Sequence, residues 1–251
     1  MMAGVAMLWL FSSLAHAGVV IGGTRFVFGE KQSSISVALR NKSPEAYLVN
    51  ARILTGGGWA GSDKPETPGA PFIATPPLFT LGGNRENTLR IVRTGGDLPA
   101  DRESLFTLSV ATIPSGKPGP NTVQMAVRAS LKLYYRPAGL QGDPEQAYTQ
   151  LKWSQAGGAL TVENPTPYYV TLFQLKANDR VVDDAGMVAP FARRSVHWCD
   201  GHPSCRLQWQ TLNDYGRVMA PVTVTVTGSQ PVSAGGAPAT PAPARTTKAE
   251  G

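Results

Sequence analysis

The 251-residue sequence is poor in the side chains that carry acid–base, nucleophilic and metal chemistry, with two cysteines and three histidines. After residue 17 the only histidines are His197 and His202, which share one short stretch, so no nucleophile–histidine–carboxylate set can be assembled. Gly56-Gly57-Gly58 follows a predicted strand but precedes no predicted helix, and no GK[ST] motif occurs. We therefore expect no enzymatic activity, no bound nucleotide and no cofactor.

Basic tracts are also absent, although the formal net charge is +6 and the isoelectric point is near 9.5. The lysines and arginines are scattered through alternating strands, without a basic run interleaved with aromatic residues. This distribution favours solvated strand faces over a nucleic-acid-binding surface. After residue 17 no stretch is apolar enough to cross a bilayer, so we expect no membrane insertion.

The one long apolar run is Met1 to Ala17, MMAGVAMLWLFSSLAHA. It ends in Ala15-His16-Ala17, the small-x-small pattern of a signal peptidase site, and predicts a cleaved signal peptide over residues 1–17. The run lacks the usual preceding lysine or arginine, which leaves the true start codon open. The alternative, a membrane anchor, is disfavoured because a spanning helix needs about 20 residues.

The remaining chain alternates apolar and polar residues in short stretches such as SSISVALRN, AYLVNARIL and LFTLSVATI. Strands of this kind at roughly ten-residue spacing predict β-sandwiches or barrels. Pro137 and the glycines that follow it interrupt the pattern, which gives one all-β domain over residues 18–137 and a second over residues 138–227. Residues 228–251 are rich in Pro, Ala and Gly, and we predict a disordered tail there.

The stretch HWCDGHPSC contains both cysteines, Cys199 and Cys205. An even number of cysteines in an exported chain favours a disulfide. The alternative is a zinc site, since two histidines and two cysteines lie within nine residues, but this spacing is too cramped for the usual paired ligands. The disulfide is the preferred interpretation, with no metal bound.

Several motifs occur together in a specific order: ATPPLFTL, LPADRESLF, LKLYYRP, NPTPYYVTL and LNDYG. This combination strongly resembles the PapD-like periplasmic chaperones of the chaperone–usher pathway, from about Gly18 to Thr227. The resemblance implies two immunoglobulin-like β-sandwich domains set at an angle with a cleft between them. It also implies a periplasmic chaperone that binds pilus subunits, prevents their aggregation and delivers them to an outer-membrane usher.

In this family the chaperone lends a strand to a subunit that lacks its own last strand. Pilus chaperones are themselves a standard example of such strand addition, so the role is implied by the resemblance and not by the spacing. The residues that match the lent strand are Val123, Met125 and Val127. The alternative is that these side chains pack on the chaperone's own core. Self-association of the free protein through the same strand is left open.

The resemblance also implies roles for five charged residues. Arg25 and Lys132 match the two cleft cations that hold the C-terminal carboxylate of the bound subunit; without the resemblance they read as ordinary surface cations. The residues matching a charged trio between the domains are Glu103, Arg136 and Asp214, and the alternative is a set of unrelated surface charges. The competing function is a structural or adhesive surface protein with two immunoglobulin-like domains. It is disfavoured because the donor-like strand lies inside the first domain.

Overall fold

The computed structural model describes residues 18–116 and 123–234. The predicted signal peptide, residues 1–17, lies outside the described residues, as do residues 235–251 of the predicted tail. The regular secondary structure of the described residues is β-strand, apart from one short 3-10 helix at Ala147–Gln150. No helix among the described residues is long and apolar enough to cross a membrane.

The first half of the chain forms two facing sheets. Its strands are β1 (Val19–Ile21), β2 (Arg25–Gly29), β3 (Ser34–Asn41), β4 (Tyr47–Thr55), β5 (Phe72–Thr75), β6 (Leu78–Leu81), β7 (Glu86–Arg93), β8 (Ser104–Pro114) and β9 (Val127–Arg136). One sheet has the order β1-β3-β7-β5 and the other the order β2-β9-β8-β4-β6. All neighbouring strands are antiparallel except β2 and β9, which run parallel. This is a β-sandwich.

Sequence alternation decides which side chains enter the core of this sandwich. In β3, Val37 and Leu39 are fully buried while their neighbours face solvent, as the period of two predicts. Between the sheets the rings of Phe28, Phe72 and Phe106 meet edge to face at centroid distances of 5.1 and 4.9 Å. This geometry suits the charge distribution of aromatic rings and fills the centre of the sandwich.

The second half forms a separate sandwich. Its strands are β10 (Lys152–Ala156), β11 (Ala159–Glu163), β12 (Val170–Thr171), β13 (Phe173–Ala177), β14 (Arg180–Val181), β15 (Met187–Val188), β16 (Arg193–Val196), β17 (Cys205–Gln210) and β18 (Val222–Val226). The sheet orders are β10-β11-β16, β12-β15 and β14-β13-β17-β18. Trp153 and Trp209, both fully buried, pack with a centroid distance of 5.5 Å at its centre. The predicted all-β fold with two sandwich domains is confirmed.

The structure corrects the predicted start of the tail. Residues 228–234 return to β10, where Val232 and Trp153 exchange two backbone hydrogen bonds of 2.8 Å and Gln155 donates a third to Gly228. Val232 and Ala234 also pack against the core of the second sandwich. The composition of this segment gives no hint of this, because the partner that orders it is an unpaired edge strand far back in the chain.

The structure also shortens the predicted donor strand. The sequence pattern begins at Thr122, but β9 begins at Val127, and the described residues 123–126 have no strand conformation. The last residue pair between β8 and β9 is Thr112 with Val127. Continuing this register would place Met125 opposite Pro114, which has no N–H to donate. The apolar alternation therefore extends beyond the end of the available partner strand.

Candidate functional site

One edge of β9 is paired with another strand along only half of its length. The parallel pairing with β2 runs from Arg25 opposite Lys132 to Gly29 opposite Arg136. From Val127 to Leu131, β9 pairs with β8 alone. The backbone groups on the other side of this half-strand are available to a further strand, and such an edge can accept one from another chain.

The predicted donor residues lie along this open half and in the segment before it. Val123, Met125 and Val127 are 87, 69 and 56% exposed, so they do not pack on the protein's own core. Alternation within β9 places Val127 on the same face as Leu131 and Leu133, both of which contact the core of the first sandwich. The apolar face of this sandwich therefore reaches the uncovered side chain of Val127, and the exposed Met125 and Val123 precede it in the chain.

Arg25 lies at the inner end of the open edge, where β2 begins. Its guanidinium reaches the second sandwich: Nη1 donates to the Leu212 carbonyl at 2.6 Å and Nη2 to the Thr171 hydroxyl at 3.4 Å. The third nitrogen, Nε, is buried and has no hydrogen-bond partner among the described residues. Arg25 thus belongs to the surface between the two sandwiches rather than to the solvated exterior.

Lys132 stands beside Arg25 across the β2–β9 pair. Burial and, to a smaller extent, the charge of Arg25 lower the pKa of Lys132 to about 8, while Asp184 acts in the opposite direction. Its Nζ lies 5.1 Å from the centre of the Trp59 ring. Among the described residues neither cation forms an ion pair with a carboxylate. Two adjacent cations of this kind can hold an anion such as a carboxylate, whose two oxygens can accept hydrogen bonds from both.

The structure brings the predicted charged trio together. Arg136 ends β9, and its Nε donates to Glu103 Oε1 at 2.7 Å. Its Nη1 and Nη2 donate to the two carboxylate oxygens of Asp214 at 2.6 and 2.8 Å. Glu103 also accepts from the backbone N–H of Tyr169 at 2.8 Å, which ties the first sandwich to the second.

Burial makes this trio sensitive to the loss of any member. Glu103 is 3% exposed, and burial raises the pKa of its carboxyl against the opposing influence of Arg136 and the Tyr169 N–H. For Arg136, burial alone lowers the pKa, but the hydrogen bond to Asp214 and the charge of Glu103 outweigh it and raise the pKa. Removing one partner would leave a desolvated charge unpaired, which is strongly unfavourable.

Sequence reasoning missed a second connection between the sandwiches, the loop from Gly56 to Gly69. The Ala60 carbonyl accepts from the Met187 N–H at 2.8 Å, and the Tyr169 hydroxyl donates to Asp63 Oδ1 at 2.6 Å. The available signal was Trp59, a large apolar residue placed within a run of glycines. From the sequence those glycines suggested only an incomplete nucleotide motif.

The disulfide between Cys199 and Cys205 is confirmed. Both cysteines are buried in the core of the second sandwich, where they join the chain leaving β16 to the start of β17. Oxidation removes both thiolates as zinc ligands. Among the described residues no group of three or more metal-binding side chains comes together. His197 instead lies 3.1 Å from Asp200 on the exposed turn.

Two family profiles cover most of the chain. Residues 18–141 match the pili and flagellar-assembly chaperone PapD N-terminal domain, and residues 146–222 match the pili assembly chaperone PapD C-terminal domain. Among curated proteins, the uncharacterized fimbrial chaperone YcbF of Escherichia coli K12 is 44% identical over 206 residues, which are 82% of this chain and 87% of YcbF. The E. coli K12 chaperone FimC is 37% identical over 231 residues, which are 89% of this chain and 91% of FimC.

Solved structures give the same relationship. The periplasmic chaperone SfaE is 35% identical with a TM-score of 0.69, over 82% of this chain and 98% of SfaE. A chain of the Salmonella enterica complex of the SafA pilin with the SafB chaperone is 31% identical with a TM-score of 0.70, over 82% of this chain and 95% of the matched chain. The chain therefore belongs to the PapD-like family of pilus-assembly chaperones.

Proposed function

We propose that this protein is a non-enzymatic periplasmic chaperone that completes the fold of pilus subunits with its own β9 strand. The observation that carries the proposal is the half-open edge of β9, flanked by the exposed side chains of Val123, Met125 and Val127. Main-chain hydrogen bonds along this edge would supply affinity for any subunit strand, and the alternate apolar side chains would fill the subunit's open groove.

The cation pair gives the added strand a fixed register. A C-terminal carboxylate is present in every subunit whatever its sequence, and Arg25 and Lys132 lie where an added strand would reach the end of the open edge. Anchoring the carboxylate there places the preceding residues alongside β9. Charge-assisted hydrogen bonds of this kind each contribute about 1.5–3 kcal/mol.

Delivery to an outer-membrane usher completes the proposed function. Membership of the family supports this step, together with a periplasmic location. The alternative of an adhesive or structural surface protein is disfavoured by the chaperone relatives and by the position of β9 inside a complete sandwich. The proposed role requires no catalytic group and no cofactor.

The test is co-expression of the tagged protein in a periplasm with the exported products of its neighbouring genes. We expect a stoichiometric, incomplete immunoglobulin-like subunit to copurify with the natural protein. Lys132→Ala should abolish recovery without unfolding the chaperone, whereas Lys176→Ala, which alters an exposed lysine on β13, should not. Absence of any copurifying subunit would contradict the function, and equal recovery with Lys132→Ala would contradict the carboxylate anchor alone.

A second measurement isolates the carboxylate. A synthetic peptide that ends in the last residues of a pilus subunit is titrated as the free acid and as the carboxamide, which differ only in the terminal group. We expect the free acid to bind at least about tenfold more tightly, in keeping with about 1.4 kcal/mol for a tenfold change. Equal affinity of the two peptides would show that Arg25 and Lys132 do not read the chain terminus.

A further inference from the structure

The loop from Gly56 to Gly69 is held against the second sandwich by close backbone contact. A Cβ on Gly61 would lie 2.0 Å from the Met187 carbonyl oxygen, and a Cβ on Gly186 would lie 2.1 Å from the Ala60 carbonyl oxygen. Both glycines also have a φ of +74°, which disfavours any other residue. The loop is therefore fixed at its contact with the second sandwich, one residue beyond Trp59.

Trp59 uses this fixed loop to reach the cation pair. Its ring lies over the backbone of Gly57, where a Cβ would be 2.1 Å from two ring carbons. The ring packs against a cluster formed by residues of both sandwiches, Leu105, Tyr134 and Met187. Beside this cluster, the ammonium of Lys132 lies 5.1 Å from the ring centre. The distance is within the range of a cation–π interaction, which strengthens when the pair is shielded from water.

We propose that Trp59 is a positioning residue for Lys132, holding its ammonium in place beside Arg25 so that the charge meets the terminal carboxylate of a bound subunit. This inference rests on the proposed function and assigns a role to a residue outside the motifs that define the resemblance. An aromatic ring attracts the cation but, unlike a carboxylate, does not occupy its N–H groups with hydrogen bonds. The ammonium therefore keeps its hydrogen-bond donors for the ligand while part of the cost of its burial is offset.

The charged groups around Lys132 make this role measurable. Burial and the neighbouring Arg25 favour loss of the proton, and Asp184 together with the Trp59 ring favours its retention. Replacing the ring by an aliphatic side chain should therefore lower the pKa of Lys132, by about 1 unit if the ring contributes as a shielded cation–π pair does. At pH 8 this change would reduce the protonated fraction, and with it the affinity for the subunit, about fivefold.

The first experiment needs no subunit. The Lys132 side chain of the free protein is titrated by NMR in the natural protein, in Trp59→Leu and in Trp59→Phe. We expect the ring to shift the Lys132 methylene protons of the natural protein upfield. The midpoint of the Lys132 titration should fall in Trp59→Leu, and Trp59→Phe should restore most of that fall. Unshifted methylene protons in the natural protein would overturn the inference even if Trp59→Leu failed to fold, as would an unchanged midpoint.

A second experiment moves the ring without removing it. Gly57→Ala should displace Trp59, since the new methyl group would occupy the position of the ring. Gly58→Ala is the matched control, because the nearest atom to its Cβ is Glu66 Oε2 at 3.8 Å. We expect only Gly57→Ala to weaken binding of the subunit, with the larger loss at higher pH. Equal binding by both variants, with the Lys132 midpoint lowered in Gly57→Ala, would overturn the positioning role.

The two proposals fail in different ways. If the natural protein binds no subunit at all, the proposed function fails, and the role of Trp59 in capture fails with it. The NMR titration still reports whether the Trp59 ring stabilises the protonated form of Lys132. If the natural protein captures subunits through Lys132 and the Trp59 variants do so equally well at every pH, only the positioning role fails.

Discussion

Lys132 is a cation whose charge is costly in its folded surroundings. Burial beside Arg25 lowers its pKa to about 8 from the usual value of 10.5. The unfolded chain therefore holds this proton more tightly than the folded protein does. Below pH 8 the charged lysine lowers the free energy of unfolding, and this penalty is relieved as the pH rises from about 8 to 10.5. A residue that costs stability is better explained by ligand binding than by folding.

This shifted pKa predicts that capture of pilus subunits depends on pH. A bound carboxylate stabilises the protonated lysine, so affinity should fall as the pH rises above 8, by up to about tenfold per unit. Lys132→Arg should bind with little dependence on pH over the same range, because arginine stays protonated. Calorimetry checks this pH dependence. A peptide ending in the last residues of a pilus subunit is titrated into each protein from about pH 6.5 to 9.5, a range that spans the shifted pKa. A natural protein with constant affinity across the range would contradict a titrating anchor.

At the scale of a single element, β9 has two halves that differ in their pairing. Its C-terminal half is paired on both edges and supplies Leu133 and Tyr135 to the core, while its N-terminal half is paired on one edge only. Leaving an edge strand open is ordinarily a hazard for aggregation. Here the open half directly precedes Lys132, so the exposed edge and the cation pair form one continuous surface.

Val127 tests whether this half-strand binds a groove. Val127→Asp should leave the free energy of unfolding within about 0.5 kcal/mol, because the side chain is exposed. It should weaken binding of the subunit strongly, since a charge would enter an apolar groove without a partner. Val181→Asp, which alters another exposed valine on β14, is the control and should change neither the free energy of unfolding nor the binding of the subunit. Unfolding of the free Val127→Asp protein would instead place this side chain in the protein's own core.

Residues 228–234 act as a further element that covers the edge of β10. Truncation after Thr227 removes the two Trp153–Val232 hydrogen bonds and the packing of Val232. We expect a loss of about 2–3 kcal/mol in the stability of the second sandwich, from backbone bonds and apolar contact together. Urea unfolding followed by tryptophan fluorescence checks this, with truncation after Ala234 as the matched control. Equal midpoints for the two truncations would show that the segment does not support the fold.

At the scale of the whole molecule, ionic and backbone contacts hold the two sandwiches together. Arg136 joins Glu103 of the first sandwich to Asp214 of the second, and the Gly56–Gly69 loop makes an independent contact through Ala60 and Met187. The proposed carboxylate site requires a fixed relation between the two sandwiches, because Arg25, one of its two cations, contacts Leu212 of the second sandwich.

Removing Arg136 should therefore destabilise the molecule more than a surface charge change would. Arg136→Met leaves Glu103 buried without its partner, and we expect a loss of about 3–5 kcal/mol. Much of this should return in Arg136→Met with Glu103→Gln, which removes the stranded charge. Arg102→Met, which breaks only the exposed pair with Asp101, is the control. Chemical unfolding measures the stabilities. A double variant no more stable than Arg136→Met would contradict the explanation by a stranded charge.

Much of the fold and part of the site could be predicted from the sequence. Alternation in stretches such as β3 and β4 predicted the strands, because burial of one face of a pleated sheet imposes a period of two. Motif resemblance then singled out Arg25, Lys132 and the charged trio, which the structure brings together at the junction of the sandwiches. The loop residue Trp59 was missed, since a tryptophan among glycines has no period and its contacts are all distant in sequence.

The all-β class and the division into two domains follow from the sequence alone, because alternation and turn residues are local properties of the chain, and the even number of cysteines favoured the disulfide over a zinc site. Tertiary packing decided that β9 begins at Val127, that residues 228–234 return to β10, and that the Trp59 ring lies beside Lys132. Each of these depends on a partner from a distant part of the chain. Such a contact forms only once the two sandwiches have packed, because packing decides where a strand ends, which strand edge remains unpaired and which loops approach each other closely.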